Sequence, residues 1–323
     1  MRAIPRRWLP ILLLAALCVA AAGLLAFVIP SLMAPGPAIV VYCAQDQAFA
    51  EPLLGEFAMA TGIRVRPVWD SEMVKTVGLA NRLLGESQSP RAHVWWSNEE
   101  LRTRQLAARG VFGTNRIGPD GLPFLSFGCR HRCLVFDPGH RPSTDLPRSL
   151  VELTNARFAG RVSIAFPLFG TTATHLLALR DAWGDPAWRD WCRAFAANRP
   201  FLEEGNSHVA GRVARGEAWI GLTDSDDLAA AIRGGMRLAE IPLGRDGMAI
   251  PNTVALVRSA SPDAPARRFA GYLASDAVVA RFAALGAIDA AGAVATGGLV
   301  PDWNRILATL DVATVELEGI FRR

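Results

Sequence analysis

Lysine is almost absent from this chain of 323 residues, since Lys75 is the only one among 34 lysines and arginines. The arginines are scattered and form no run or stripe, whereas a nucleic-acid surface needs cations clustered on one face. The formal net charge is only +4. Nucleic acid is therefore not an expected partner.

The sequence also lacks the short motifs of several familiar enzyme classes. It contains no G-x-S-x-G, no H-E-x-x-H and no phosphate-binding loop. Hydrophobic residues make up 51% and charged residues 20%, as in ordinary globular proteins. There is no internal repeat. The length suits two domains or one two-lobed domain, and we predict no enzyme activity.

Cysteine is scarce, with five in the chain. Four lie beyond the N-terminal segment: Cys43, Cys129, Cys133 and Cys192. The stretch "CRHRC" is predicted to be a strand, along which residues four apart are separated by about 13 Å. That is too far for a disulfide between Cys129 and Cys133, or for one tetrahedral ion shared with His131. We interpret the thiols as buried apolar groups.

The N-terminus has the pattern of an export signal. Arg2, Arg6 and Arg7 precede an uncharged apolar run over residues 8–29, and the Pro/Gly-rich "PSLMAPGP" follows it. The run also reaches the ~20 residues that span a bilayer. Residues 1–37 are therefore predicted to be a signal peptide or an uncleaved anchor followed by a linker. The N-terminal arginines favour a cytoplasmic start, so the folded part is expected outside the cytoplasm.

Beyond the linker, strand patterns alternate with helical ones. The predicted strands are "AIVVYCA", "IRVRPVW", "AHVWW", "RVSIAFP" and "EAWIGLT". This alternation predicts an α/β fold with doubly wound sheets. Two long extended segments, residues 124–138 and 247–257, are predicted to cross between two lobes. We expect lobe 1 at 38–130 and 250–323, lobe 2 at 131–249, and a ligand cleft between them.

Polar side chains cluster where the predicted strands end, which is where α/β sheets bind ligands. The predicted ligand-binding residues are Asp46, Gln47, Asn98, Glu99, Thr171, Thr172, Asn206, Asp224, Asp226, Asp227 and Asn252. "FGTT" at a helix start offers free backbone N–H groups and hydroxyls, which suit a phosphate, phosphonate or carboxylate.

The acidic stretch "GLTDSDD" has two interpretations. It is consistent with a helix start, with Asp224 or Ser225 as N-cap and the next two carboxylates in the first turn. It is also consistent with a ligand site, because a strand end presents such groups to a cleft. Asp46 with Gln47, and Asn98 with Glu99, could likewise cap the helices that follow them.

Five segments in order resemble a known family: "VVYCAQDQAFAEPLLGEFAMATGI", "HVWWSNEE", "FPLFGTTATHLLAL", "GEAWIGLTDSDD" and "IPNTVALVRSASPDAPA". They are similar to the periplasmic substrate-binding proteins of bacterial ABC importers, in the ferric-iron-binding branch, over roughly residues 38–300. The resemblance implies a two-lobed type 2 periplasmic-binding fold, each lobe a doubly wound sheet. It also implies a periplasmic monomer that captures a small solute by lobe closure and delivers it to an inner-membrane ABC permease.

The sequence departs from that branch at the position of its iron ligands. Ferric-binding members carry two adjacent tyrosines there, and the corresponding positions here hold Asp226 and Asp227. The chain has only two tyrosines, Tyr42 and Tyr272. A tyrosinate iron site is therefore not expected.

The charges leave the nature of the ligand open. Asp226, Asp227 and Glu99 are candidate ligands of a transported metal cation, Fe³⁺ or divalent, because hard ions prefer carboxylate oxygens. An amine-bearing solute fits the same charges, and a zwitterion would also use the "FGTT" segment. No resident cofactor is predicted. Alternative functions are a membrane-anchored extracytoplasmic sensor domain and an exported metal-dependent hydrolase.

Overall fold

The computed structural model describes residues 37–70, 75–114, 116–140, 142–258, 264–290 and 297–322. The predicted export segment, residues 8–29, lies outside these ranges. Within them, no helix has both the length and the apolar character needed to cross a membrane.

The described chain contains nine strands. They are β1 (Ala38–Cys43), β2 (Arg64–Val68), β3 (Val94–Ser97), β4 (Phe124–Phe136), β5 (Val162–Ala165), β6 (Phe201–Glu203), β7 (Ile220–Asp224), β8 (Ala239–Ile241) and β9 (Ala249–Leu256). The order across the sheet is β2-β1-β3-β9-β4-β7-β5-β6, and β8 pairs with β4.

Ten α-helices are described. They are α1 (Gln47–Thr61), α2 (Lys75–Gly85), α3 (Leu101–Ala108), α4 (Gly170–Trp183), α5 (Asp185–Ala197), α6 (Asn206–Ala214), α7 (Ser225–Arg233), α8 (Ala264–Leu273), α9 (Asp276–Leu285) and α10 (Trp303–Phe321). The predicted strand–helix alternation is therefore present along the chain.

The two long extended segments form β4 and β9, which pair with each other over most of their length. The first part of β4 pairs with β9 and its second part with β7 and β8, so this 13-residue strand belongs to both halves of the sheet. β1 is parallel to β2 and β3, and β5 is parallel to β6 and β7. β4 and β9 are antiparallel to their neighbours, and a short 3₁₀ turn precedes each of them.

Both faces of the first half of the sheet are covered. Trp95 and Trp96 are adjacent on β3, so their side chains point to opposite faces, and both are fully buried. Trp96 packs with Phe269 and Phe282, whereas Trp95 belongs to a separate cluster with Leu79. The apolar run in "AHVWW" is therefore explained by two cores, one on each side of one strand.

A third core lies in the second half of the sheet and includes the C-terminal helix. Ile306 and Leu310 of α10 belong to the same apolar cluster as Leu176 of α4 and Trp188 of α5. The segment that the sequence assigned to lobe 1 thus ends in a helix packed against helices assigned to lobe 2. The exact lobe boundaries stay a prediction.

The described cysteines form no disulfide with one another. Cys43, Cys133 and Cys192 are buried and Cys129 is half-buried. The predicted burial is confirmed for the first three.

Gly221 in β7 is predicted to be required for packing. A Cβ atom there would lie 2.7 Å from Cγ1 of Val209 and 3.0 Å from Cγ2 of Val135, too close without a shift of α6. We expect Gly221→Ala to lower the free energy of unfolding of the full-length protein by about 1–3 kcal/mol, measured by urea denaturation.

Gly55 provides the matched control, because it lies within α1 and nothing approaches its would-be Cβ within 4 Å. Gly55→Ala should be neutral or stabilising by up to about 1 kcal/mol. Equal effects of the two substitutions would contradict the packing argument.

Candidate functional site

A cleft with about 560 Å³ of empty space opens where the strands of both halves end. Eight of the eleven residues predicted from the sequence line it: Asp46, Asn98, Thr171, Thr172, Asn206, Asp224, Asp226 and Asp227. They come from segments after β1, β3, β5, β6 and β7, so the carboxyl ends of parallel strands converge on one place, as this architecture requires.

The centre of the site is a buried ion pair between two strands. Arg132 on β4 is the direct cross-strand partner of Asp224 on β7, and its Nη1 donates to Asp224 Oδ1 at 2.6 Å. Thr171 Oγ1 and Asn206 Nδ2 donate to the other carboxylate oxygen at 2.7 and 3.0 Å. Burial alone would raise the pKa of Asp224, but Arg132 and then Arg130 bring it below its usual value.

A second arginine lies beside the first on the same face of β4. Arg130 Nε donates to Asp224 Oδ2 at 3.2 Å and lies 3.3 Å from Asp226 Oδ1. Its Nη1 donates to the backbone oxygen of Asn98 at 2.7 Å. The guanidinium therefore ties the end of β3 to the start of α7. Burial disfavours its charge, but Asp226 and Asp224 outweigh burial and raise its pKa.

The sequence interpretation missed both arginines. The thiols and the histidine are the conspicuous groups of "CRHRC", but a strand alternates its side chains between two faces. Two arginines spaced by two residues in an otherwise apolar strand indicate a buried charged face. That pattern could have signalled the partners of the acidic stretch.

Asp226 and Asp227 receive less compensation for their burial from positive charge and hydrogen bonds than Asp224 does. Asp226 is buried, and its Oδ1 has no hydrogen-bond partner among the described residues. Burial raises the pKa of Asp226 to about 7; Arg130 opposes this shift, while Asp224 and Asp46 add to it. Burial, reinforced by Asp226 and Asp224, also raises the pKa of Asp227 well above its usual range. Both groups lie at the cleft wall, where a ligand cation would stabilise their ionised forms.

The aspartates at the helix N-cap positions do not cap the helices with their side chains, as the sequence had suggested they could. Asp224 is at the N-cap position of α7, but its side chain makes no capping hydrogen bond; it binds the two arginines. Asp46 is likewise at the N-cap position of α1 without a side-chain cap. Asp226 and Asp227 do lie in the first turn of α7.

The "FGTT" segment begins α4 at the cleft, as predicted. Thr171 Oγ1 donates to Asp224, and Thr172 Oγ1 lies 3.4 Å from Arg132 Nη2, so both hydroxyls contact the ion pair. The first intrahelical bond runs from Ala173 N to Phe169 O. The backbone N–H groups of residues 170–172 precede it and have no intrahelical acceptor.

Three predicted residues lie outside the cleft lining. Glu99 is fully buried, and its carboxylate accepts from the backbone N–H groups of Leu101 and Arg102 at the start of α3. Gln47 Nε2 donates to Glu51 within α1. Asn252 on β9 accepts from Gln45 at 2.8 Å. The structure therefore places Glu99 in a helix cap, apart from Asp226 and Asp227.

The tyrosines also lie outside the lining of the cleft. Tyr42 is buried and donates to Glu86. Tyr272 packs against Phe57 and Phe269. Since the chain has no third tyrosine, a tyrosinate site for iron has no ligands here.

Two solved structures illustrate the likeness of the fold. Iron-bound HitA from Pseudomonas aeruginosa superposes with a TM-score of 0.74 at 19% identity, covering 88% of this chain and 99% of that one. AfuA from Actinobacillus pleuropneumoniae, with fructose-6-phosphate bound, gives 0.75 at 15% identity, covering 89% and 99%. The chain thus has the two-lobed type 2 periplasmic-binding fold. No curated protein sequence matches it.

The family follows from the sequence itself. Residues 39–287 match the family described as bacterial extracellular solute-binding protein, so the chain belongs to that family. It is a solute-binding protein of an ABC importer, as the resemblance predicted. It acts outside the cytoplasm and works with an ABC permease.

The buried ion pair is predicted to be essential for stability. Asp224→Asn would leave Arg132 without its closest charge and Arg130 with only Asp226. We expect a loss of about 3–5 kcal/mol in the free energy of unfolding, measured by urea denaturation. Asp185→Asn is the control: Asp185 pairs with Arg180 at 2.7 Å but is half-exposed, so its loss should cost about 1 kcal/mol or less.

Stability of the ligand-free protein is predicted to fall as pH rises through neutrality. The pKa of Asp226 is about 7 in the folded protein and about 3.9 when unfolded, so the folded state binds the proton more tightly. That contribution is complete below about pH 4 and is lost as pH rises through 7. Asp226→Asn should reduce the decline between about pH 5 and pH 8. An identical slope in both proteins would contradict it.

Proposed function

We propose that this solute-binding protein captures a small solute carrying a protonated amine, which the carboxylates of Asp226, Asp227 and Asp46 bind in the cleft. The observation that carries the proposal is the buried Asp226 Oδ1, which lines the cleft and has no hydrogen-bond partner among the described residues. An ammonium group would supply a hydrogen-bond donor for that oxygen, and positive charge beyond that of Arg130, which lies 3.3 Å from it.

The charge balance of the cleft supports a cationic group. Its lining contains five carboxylates, Asp46, Glu204, Asp224, Asp226 and Asp227, and one arginine, Arg130. Arg132 lies behind them and is used by Asp224. With both arginines counted, ionised carboxylates remain in excess. Burial is the largest cause of the raised pKa values of Asp226 and Asp227, and repulsion between carboxylates adds to it. A ligand that brings positive charge relieves that repulsion.

A metal cation is the second candidate, since one oxygen each of Asp224, Asp226 and Asp227 lie within 4.8 Å of one another. HitA contains iron. However, the oxygens of Asp224 are taken by Arg132, Arg130 and Thr171, and Arg130 lies 3.3 Å from Asp226. A guanidinium this close repels a multivalent ion more than it repels a single ammonium. The amine is favoured for that reason.

The remainder of the solute would contact the start of α4, which also lines the cleft. The start of α4 offers backbone N–H groups there, and Phe166 and Phe169 stack at 5.8 Å between ring centroids. Such a surface suits an anionic or polar group, which makes the preferred solute a zwitterion. AfuA was solved with a phosphorylated sugar bound.

Binding would close the two lobes onto each other, with β4 and β9 as the connecting strands. We propose that the protein acts as a monomer, without covalent chemistry. Residues 8–29 would serve as its export signal or as its inner-membrane anchor. The family match does not favour a sensor or a hydrolase.

The ligand class can be tested by thermal shift on the chelator-stripped full-length protein. The probes are small aminophosphonates and amino acids, each beside the same compound without its amine. At ~100 times its dissociation constant a ligand adds about 2.7 kcal/mol, a shift of a few degrees. We expect only amine-bearing members to raise the midpoint, and Asp226→Asn with Asp227→Asn to abolish the rise. Affinity should increase between about pH 6 and pH 8 as the carboxylates ionise.

Metal probes decide between the two candidates. Fe³⁺ and divalent ions, each with and without carbonate or phosphate, should not bind in this cleft. Any change they cause in the melting midpoint should therefore be the same in the wild type and in the Asp226/Asp227 double variant. If metal alone raises the midpoint and the rise disappears in the Asp226/Asp227 double variant, the ligand of the cleft is a metal cation and not an amine. Asp185→Asn should respond like the wild type in every case.

A further inference from the structure

A second cluster of ligating side chains lies on the other face of β4. His131 and Cys133 alternate with the cleft arginines Arg130 and Arg132, so they point away from the arginine face. Glu240 on β8 joins them, because β8 pairs with β4 beside Val135. One ligand atom each from His131, Cys133 and Glu240 lie within 4.8 Å of one another.

The imidazole of His131 is held in the orientation that metal-binding histidines adopt. Its Nδ1 lies 2.7 Å from Asp289 Oδ2, and its Nε2 lies 2.9 Å from Glu240 Oε1. Asp289 is fixed in turn, since Ser225 Oγ donates to its Oδ1 at 2.7 Å and its backbone N–H donates to Cys129 O at 2.7 Å. A carboxylate on one ring nitrogen directs the other nitrogen at the metal.

The site is reachable from solvent. A separate cavity borders His131 and Glu240 and continues along Pro242, Gly247 and Gly298. The Glu240 side chain is 32% exposed and that of His131 is 18% exposed, whereas Cys133 is fully buried beneath them. An ion entering from this cavity would meet the imidazole and the carboxylate first and the sulfur last.

We infer that His131, Cys133 and Glu240 form a Zn²⁺ site, with Asp289 as the residue that positions the imidazole. Imidazole nitrogen, thiolate sulfur and carboxylate oxygen are all zinc ligands, and a water completes the tetrahedron. Bonds of about 2.0–2.3 Å place such ligands roughly 3.5 Å apart. His131 Nε2 and Glu240 Oε1, which lie 2.9 Å apart, must therefore separate slightly, and the Cys133 sulfur must approach them by up to about 1 Å, within the reach of side-chain rotation.

Binding has a defined proton balance. Zn²⁺ takes the place of the proton between His131 Nε2 and Glu240, and it displaces the proton of the Cys133 thiol, so both protons leave to solvent. The site straddles the point where β4 changes partners, since His131 is paired with Ala249 of β9 and Leu134 with Ile241 of β8. A bound ion would fasten β8 to the strand that connects the two halves. This inference is independent of the amine proposal.

Cobalt spectroscopy of the full-length protein tests the site. Chelator-stripped protein titrated with Co²⁺ should develop a thiolate-to-cobalt charge-transfer band and tetrahedral visible bands, and Zn²⁺ should displace both. Cys133→Ser should abolish the charge-transfer band. Cys192→Ser is the matched control, a buried cysteine in α5 away from the site, and should keep it. Asp289→Asn should weaken the affinity by about 10–100-fold.

Two further variants keep the test decisive. Glu240→Gln changes a partly exposed residue and is expected to fold; it should lower Co²⁺ affinity, and unchanged affinity would overturn the site. Asp226→Asn with Asp227→Asn should leave the charge-transfer band intact, because the cleft contains no thiol. The inference is overturned if the wild type shows no such band, or if the band survives in Cys133→Ser.

Discussion

The buried carboxylate of Asp224 is the constraint on which the arrangement of the cleft depends. A carboxylate out of water is costly unless charge and hydrogen bonds compensate it, and Asp224 obtains both from Arg132, Arg130 and Thr171. Because Arg132 and Asp224 are cross-strand partners, the ion pair fixes how β4 and β7 meet. It thereby places the start of α7, with its further carboxylates, at the wall of the cleft.

The same pair determines which charges are left for a ligand. Two arginines are enough to ionise Asp224 fully, and Arg130 compensates Asp226 only in part, since burial still raises its pKa to about 7. Asp227 gains even less. The cleft therefore keeps a negative excess that a positively charged group would relieve. The lining of the cleft contains no tyrosine, so it does not form the tyrosinate type of iron site.

Strand β4 places arginines on one face of the sheet and a histidine and a cysteine on the other, because successive side chains of a strand point to opposite faces. Arg130 and Arg132 lie on the face that binds the carboxylates of the cleft, whereas His131 and Cys133 lie on the face that meets Glu240 of β8. Asp289 links the two faces, since it contacts His131 and also Ser225, the residue between Asp224 and Asp226. The histidine cluster is thus connected, through Asp289 and Ser225, to the segment that carries the carboxylates of the cleft.

The sequence alone determined most of the elements and most of the cleft lining. Period-2 and helical patterns locate β1, β7 and α4, because burial of one face imposes those periods, and polar residues at strand ends predicted Asp46, Asp224 and their neighbours. Only the tertiary structure decided which polar groups face the cleft and which bind other groups of the protein. Glu99 caps α3, and Arg130 and Arg132 reach carboxylates more than 90 positions away along the chain. Such partners are invisible to local patterns, because strand pairing brings distant residues together.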